Sequence, residues 1–308
     1  MATRKTDGST WPSIVAWCER ELGSSPTLRL FTTRHSSEVH GVELGDGRRV
    51  VIKVRPIDDR AAGVVAVQRR LFEQGFPCPE PLTDACQLGN MIVTAETLVP
   101  AEGLIGGPPV QECAELLAEL VGLAGDAGDF PELMSPLPWV AWDWQGPGQW
   151  PPPDDVDLDL NQPPGPPWLE EAAARVRSRL ASDHGKGVIG HCDWEAHNFG
   201  WRSGHMAVVY DWDSLGIRTE PAIAGAAGTV FSSSTGGPIA AELEDTAAFL
   251  DVYRSRCQDW DDDATEVAYA AGLWVLLYNA RKELAGGGRG YLDQLGKELR
   301  ERLRRAGA

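Results

Sequence analysis

The sequence predicts an α+β chain, with a strand-rich N-terminal third and a mainly helical remainder. Two patterns carry that expectation. Strand-like runs occupy 28–31, 39–44, 48–54 and 91–99, broken by turn-forming residues. Beyond the Pro/Gly-rich stretch 100–109, apolar residues recur at helical spacing in 110–124, 168–183, 242–257, 264–284 and 291–305.

Residues 11–23 open the chain as a short helix. Pro12 suits its first turn, Ile14, Val15 and Cys18 share a face, and Gly23 suits the C-terminal cap. LRLF (28–31) and VHGVEL (39–44) follow as strands, with the polar run Thr33, Arg34, His35, Ser36 and Ser37 between them. GDG at 45–47 is a hairpin turn leading into RRVVIKV (48–54). There Val50, Ile52 and Val54 point one way, and Val51 and Lys53 the other. A lysine inside an apolar strand is either an edge-strand gatekeeper or a functional charge facing a cleft. Residues 59–74 read as a helix through Val64, Val67 and Leu71, stopped by Gly75. PCPEPL (77–82) is extended because each proline restricts itself and its predecessor. MIVTAETLV (91–99) is a buried strand, and the lobe boundary is expected in the segment that follows it.

Segment 131–168 stands apart, with Trp139, Trp142, Trp144, Trp150, Trp168, many prolines and the cluster Asp154, Asp155, Asp157, Asp159. Two readings are open: a loop clamped to the surface by aromatic anchors, or a substrate-side insertion.

Composition narrows the function classes. With 308 residues, 43% hydrophobic and 24% charged, the chain can bury a core without disulfide or metal staples. A net charge of −17, from 45 acidic and 28 basic residues, argues against a nucleic-acid surface and is compatible with a cationic substrate. The scattered cysteines Cys18, Cys78, Cys86, Cys113, Cys192 and Cys257 form no CxxC pair and read as reduced thiols of a cytoplasmic protein. No apolar run approaches a membrane span, and the first residues lack a signal-peptide core, so neither membrane nor export is expected.

The chemistry concentrates in GVIGHCDWEAHNFGWRSGHMAVVYDWD (187–213). VIG is a short strand, HCDWEAHN a loop, and FGW and MAVVY two strands joined by the turn RSGH. That hairpin brings Asp211 back beside Asp193 and Asn198. His191, Asp193 and Asn198 have the spacing H-x-D-x-x-x-x-N, and Asp211 follows the second strand. Phosphoryl transfer needs these types: one carboxylate to orient the acceptor hydroxyl, an Asn and a second Asp as hard oxygen ligands for magnesium, and a lysine for phosphate charge.

This segment resembles the catalytic loop and metal-binding motif of aminoglycoside phosphotransferases and choline-kinase-like small-molecule kinases. RRVVIKV resembles their lysine strand, LFEQGFPCPEPL their helix end with a G-x-P-x-P connector, and VTAETLVPAEG their inter-lobe hinge. The resemblance implies a protein-kinase-like bilobal fold: a nucleotide-binding lobe over 1–98, with a small antiparallel sheet, and a mainly helical catalytic and substrate-binding lobe over 99–308, hinged at about 96–103. It implies ATP and Mg2+ as cofactors and phosphorylation of a small-molecule hydroxyl, on an aminoglycoside, amino sugar or other antibiotic. Carried across, Asp193 is the catalytic base and Asn198 and Asp211 are the metal ligands. Lys53 holds the nucleotide phosphates, Ser36 and Ser37 lie in the phosphate-covering loop, and the backbone around Glu96–Leu98 binds adenine. His191 orients the loop, and His197 fills it.

The family pairs its lysine with a Glu in the following helix. That register falls on Val64 here, with Gln68 one turn later on the same face. Gln68 is therefore expected to hydrogen-bond Lys53 as a neutral stand-in, with Asp59 as another candidate. No G-x-G-x-x-G covers the phosphates, so Thr33–Ser37 takes that place. Two rivals stay open: a degenerate nucleotide-binding module, suggested by the missing Glu, and a hydrolase with a metal on His191, Asp193 and His197.

Overall fold

The computed structural model describes residues 10–34, 37–104, 107–234, 239–257 and 260–308. Its N-terminal part comprises helix α1 (Thr10–Leu22), strands β1 (Pro26–Arg34), β2 (Glu38–Leu44) and β3 (Arg49–Pro56), helix α2 (Ala61–Glu73), and strands β4 (Cys86–Leu88) and β5 (Met91–Thr97). The strands make one antiparallel sheet in the order β1-β2-β3-β5-β4. The period-two pattern of β3 is realised: Val50, Ile52 and Val54 are buried with Ile14, Trp17 and Cys18 of α1 in one apolar cluster. Val51, Lys53 and Arg55 therefore occupy the opposite face. In the β3–β5 register, Lys53 lies opposite Thr94 and Val51 opposite Glu96, so Lys53 and Glu96 are diagonal neighbours on that face.

The C-terminal part contains α3 (Val110–Leu123), α4 (Pro167–Leu180), β6 (Gly187–His191), β7 (Phe199–Arg202), β8 (His205–Val209), β9 (Leu215–Thr219), α5 (Glu220–Val230), α6 (Leu243–Arg256), α7 (Asp262–Gly286) and α8 (Gly290–Arg305). A second, larger apolar cluster fills it, and Val64, Val67 and Leu71 of α2 join this cluster rather than the one under the sheet. Ser203 (φ 53°) and Gly204 (φ 82°) turn the β7–β8 hairpin in the left-handed conformation that a two-residue loop requires. Strand β6 pairs instead with β9, from Gly187 opposite Thr219 to His191 opposite Leu215.

Three elements were not expected from the sequence: β4, β9 and α5. Helix α5 escapes because its sequence, EPAIAGAAGTV, offers small residues instead of an apolar stripe. Almost all of it is buried, and Gly225 admits α7: a Cβ there would stand 1.8 Å from the Ala268 carbonyl oxygen.

Segment 131–168 is anchored as the first of its two readings expects. Trp150 stacks on Trp274 of α7 at 5.5 Å. Arg177 of α4 donates to the carbonyls of Trp142, Trp144 and Gln149 at 2.7, 2.7 and 2.9 Å. Its Leu137, Trp139, Asp154 and Asp155 also line a cavity. Among the described residues, no helix is long and apolar enough to cross a membrane.

Candidate active site

Strand β6 delivers His191 to the base of the site, where it is fully buried. Its Nε2 lies 3.0 Å from the Tyr210 carbonyl, and its Nδ1 accepts the Asp193 N–H at 3.3 Å. A carbonyl only accepts and an N–H only donates, so the ring is the neutral Nε2–H tautomer. Burial also holds its pKa below the usual value. His191 thus ties the loop to the end of β8, the orienting role expected of it. With both nitrogens committed, it is unavailable to a metal. Among the described residues, no group of three His, Cys, Asp or Glu side chains is placed to hold a metal ion.

Asn198 donates its Nδ2 to the Asp193 carbonyl at 2.9 Å and to Asp193 Oδ2 at 3.0 Å. Tyr210 N–H donates to the Asn198 carbonyl at 2.8 Å, which docks the loop beside the strand leading to Asp211. Asp211 sits in the left-handed region (φ 59°, ψ 52°), a conformation costing a non-glycine residue roughly 1–2 kcal/mol. Its surroundings enforce it: Ser214 N–H donates to the Asp211 carbonyl at 3.1 Å, and buried Trp212 packs edge-on to Phe76 and His191. The Asp193 carboxyl is pushed up to about 7, first by burial and then by the Glu195 and Asp211 charges.

Two cavities meet here. One, of about 270 Å³, is lined by Phe31, Val39, Val51, Leu98, Val99 and Tyr210 together with Lys53, Glu96 and Asp211. The other, of about 480 Å³, is charged and holds Asp193, Glu195, Asp154, Asp155 and Asp213 beside Arg55, Arg60 and Lys282. Asp211 lines both. Ser37 lines the charged cavity, whereas Ser36 lies outside the described residues.

The structure corrects three expectations. Gln68 does not bond Lys53; its Nε2 donates to Glu96 Oε2 at 3.0 Å and to the Pro79 carbonyl at 2.9 Å. Glu96 offers its side chain, not only its backbone, and pairs with Lys53 at 3.2 Å. The N–H groups of Thr97 and Leu98 are already bonded to the Glu80 and Arg49 carbonyls, at 2.9 and 3.0 Å, so neither is open to adenine. His197, read as loop filler, lines the charged cavity and meets Glu195 Oε2 at 3.1 Å. That bond raises its pKa.

Sequence reading also missed Arg55, which is buried and paired with Asp213 of the segment after Asp211. The signal was present. Arg55 is two residues past Lys53 on the same strand face, and Glu96 is a charge in an apolar strand, the feature that singled out Lys53.

A loop carboxylate bonded to an asparagine, and a post-strand aspartate that lines one cavity with a sheet-borne lysine, are the residue types that phosphoryl transfer needs. The comparisons agree. Residues 27–219 match the phosphotransferase enzyme family, and the chain belongs to it. The chain is a phosphotransferase with a protein-kinase-like fold. No curated protein matches the sequence significantly. Similar solved structures include amicoumacin kinase hAmiN in complex with AMP-PNP, Ca2+ and Ami, at 11% identity and TM-score 0.58 over 84% of this chain and 81% of that one. Spectinomycin phosphotransferase in complex with ADP and spectinomycin shares 11% identity at TM-score 0.58, over 96% and 93%. Macrolide 2'-phosphotransferase from Brachybacterium faecium shares 16% identity at TM-score 0.55, over 92% and 95%. At such identities the likeness shows the fold.

Proposed function

We propose that the chain transfers the γ-phosphoryl group of ATP to a hydroxyl of a small, amine-bearing molecule, an aminoglycoside, amino sugar or other antibiotic. One observation carries this reading: Asp211 lines both the apolar cavity and the charged one. The apolar cavity suits a nucleobase, and Val99 carries the first N–H of the connector left uncommitted to a backbone carbonyl among the described residues. Lys53 lies on the phosphate side. Residues 1–98 serve as the nucleotide-binding lobe and 99–308 as the catalytic and substrate-binding lobe, hinged near 96–103.

In the charged cavity, Asp193 orients the acceptor hydroxyl and takes its proton as the hydroxyl oxygen bonds to the γ-phosphorus and the bond from that phosphorus to the β-phosphate oxygen breaks, releasing ADP. Asn198 turns its nitrogen to Asp193, which leaves its amide oxygen, with the Asp211 carboxylate, to hold Mg2+. The bound cation supplies charge neutralisation on the phosphate oxygens. Asp154 and Glu195 favour a cationic acceptor, whereas Asp155 is already paired with Lys282 at 2.8 Å. The six cysteines are free, as suits a cytoplasmic enzyme. The degenerate-module reading rested on an unpartnered lysine, and Glu96 now supplies the partner.

The test is ADP release over a panel of aminoglycosides, amino sugars, macrolides, choline and homoserine with ATP and magnesium. Turnover on at least one amine-bearing alcohol, with a phosphate ester in the product, is expected. Nucleotide binding without any phosphorylated product across the panel would contradict the reading.

A further inference from the structure

We propose that Glu96 of β5 is the positioning residue for Lys53, and that Gln68 of α2 acts on the lysine only through Glu96. This inference rests on the nucleotide-binding reading above. The helix position that would carry the lysine's partner is Val64, which cannot pair a charge. The carboxylate comes instead from within the sheet. Glu96 Oε1 takes Lys53 Nζ at 3.2 Å, and Glu96 Oε2 takes Gln68 Nε2 at 3.0 Å. The same amide nitrogen donates to the Pro79 carbonyl at 2.9 Å, which fixes the amide orientation. Each carboxylate oxygen thus has a different donor, and the group cannot rotate without losing one.

Burial makes the arrangement consequential. Lys53, Glu96 and Gln68 are 9, 7 and 3% exposed. Removing one charge of such a pair leaves the other buried and unpaired, which costs more than a surface pair ever contributes. All three residues line one recess with Val64, and Lys53 and Glu96 also line the apolar cavity that ends at Asp211. The ion pair is therefore adjacent to where the phosphates would lie.

The location changes what sets the lysine. A partner on a helix positions the lysine only when the helix is packed in place. Here the partner is a diagonal neighbour across hydrogen-bonded strands, so the β3–β5 register alone brings Lys53 and Glu96 together. Helix α2 contributes a neutral amide, and its apolar face packs with the C-terminal cluster. The lysine is set before nucleotide arrives.

The arrangement predicts a sign reversal. Gln68→Glu, harmless if Gln68 stood in for the missing Glu, now places a second carboxylate against Glu96 and removes the donor to Pro79. Affinity for AMP-PNP with magnesium, measured by calorimetry beside each variant's thermal midpoint, should fall about tenfold or more in Glu96→Gln, which loses a charge-assisted bond. It should fall about threefold or more in Gln68→Glu, from the like charge. In the double variant Glu96→Gln/Gln68→Glu the carboxylate returns to the helix, and affinity should recover to within about twofold of wild type, the shortfall reflecting the orphaned Pro79 carbonyl. A role confined to folding would lower the midpoints without this reversal. If Glu96→Gln does not fold, the double variant must still bind more tightly than Gln68→Glu alone; the opposite order overturns the proposal. Equal affinity of wild type and Glu96→Gln overturns it while leaving the functional reading intact. A wild-type chain that binds no nucleotide overturns both.

Discussion

Asn198 and Asp193 are joined twice: the asparagine amide nitrogen reaches the aspartate's carbonyl at 2.9 Å and its carboxylate at 3.0 Å. One side chain thereby fixes the acid that would face the acceptor and assigns its own oxygen to the other side. The spacing of five residues is what a single short turn allows, and Tyr210 then pins Asn198 beside the strand that leads to Asp211.

Metal dependence follows from that division. Nucleotide affinity in the wild-type chain should rise about tenfold or more on adding magnesium, because two hard oxygen donors and the phosphates complete the cation's shell. In Asp211→Ala the gain should nearly vanish. Calorimetric titrations with and without magnesium measure both, and an equal gain in the two proteins would remove Asp211 from the ligand set.

The pH dependence has a definite sign. Burial, Glu195 and Asp211 push the Asp193 carboxyl up to about 7, and it accepts a proton only when ionised. kcat/KM, which reports the free enzyme, should therefore rise with pH through about 7. A bound cation favours the ionised form, so the kcat profile should break at lower pH. The native state also holds a proton that the unfolded chain releases near pH 4, so this group's contribution to stability falls as pH rises from about 4 to about 7. Coincident breaks in the two kinetic profiles, or a flat profile, would contradict the assignment.

What the sequence disclosed divides along physical lines. Asp193, Asn198, Asp211 and Lys53 are legible because a charge or amide in an apolar or tightly spaced setting demands a reason. The β2–β3 and β7–β8 hairpins are legible because turn residues and strand alternation are local. Glu96 as the partner of Lys53 depends on strand register, which no local pattern shows. The commitment of the Leu98 N–H to Arg49 and the pairing of Arg55 with Asp213 likewise depend on chain segments far apart in sequence. Helix α5 is hidden for a different reason: with nearly every residue buried, it has no polar face to set off an apolar one.

That helix supplies a test of packing. Gly225 approaches α7 so closely that a methyl group would meet the Ala268 carbonyl at 1.8 Å, and backbone on both sides leaves little room to yield. Gly225→Ala should destabilise the chain by about 3 kcal/mol or more, the upper end for overpacking. Denaturant unfolding measures it. Gly122→Ala, with nothing near its added Cβ, serves as the control and should be neutral or slightly stabilising. Equal midpoints for the two variants would refute the close α5–α7 contact.

Transfer to the acceptor depends most directly on Asp193, and the decisive measurement is turnover of Asp193→Asn on the acceptor identified by the panel. The substituted amide can still present an oxygen to Asn198, so the loop is kept while the proton-accepting charge is lost. In this variant kcat should fall by about 10²–10⁴, the range for loss of a general base, while AMP-PNP affinity with magnesium should stay within about threefold. Near-wild-type turnover in Asp193→Asn would contradict that role.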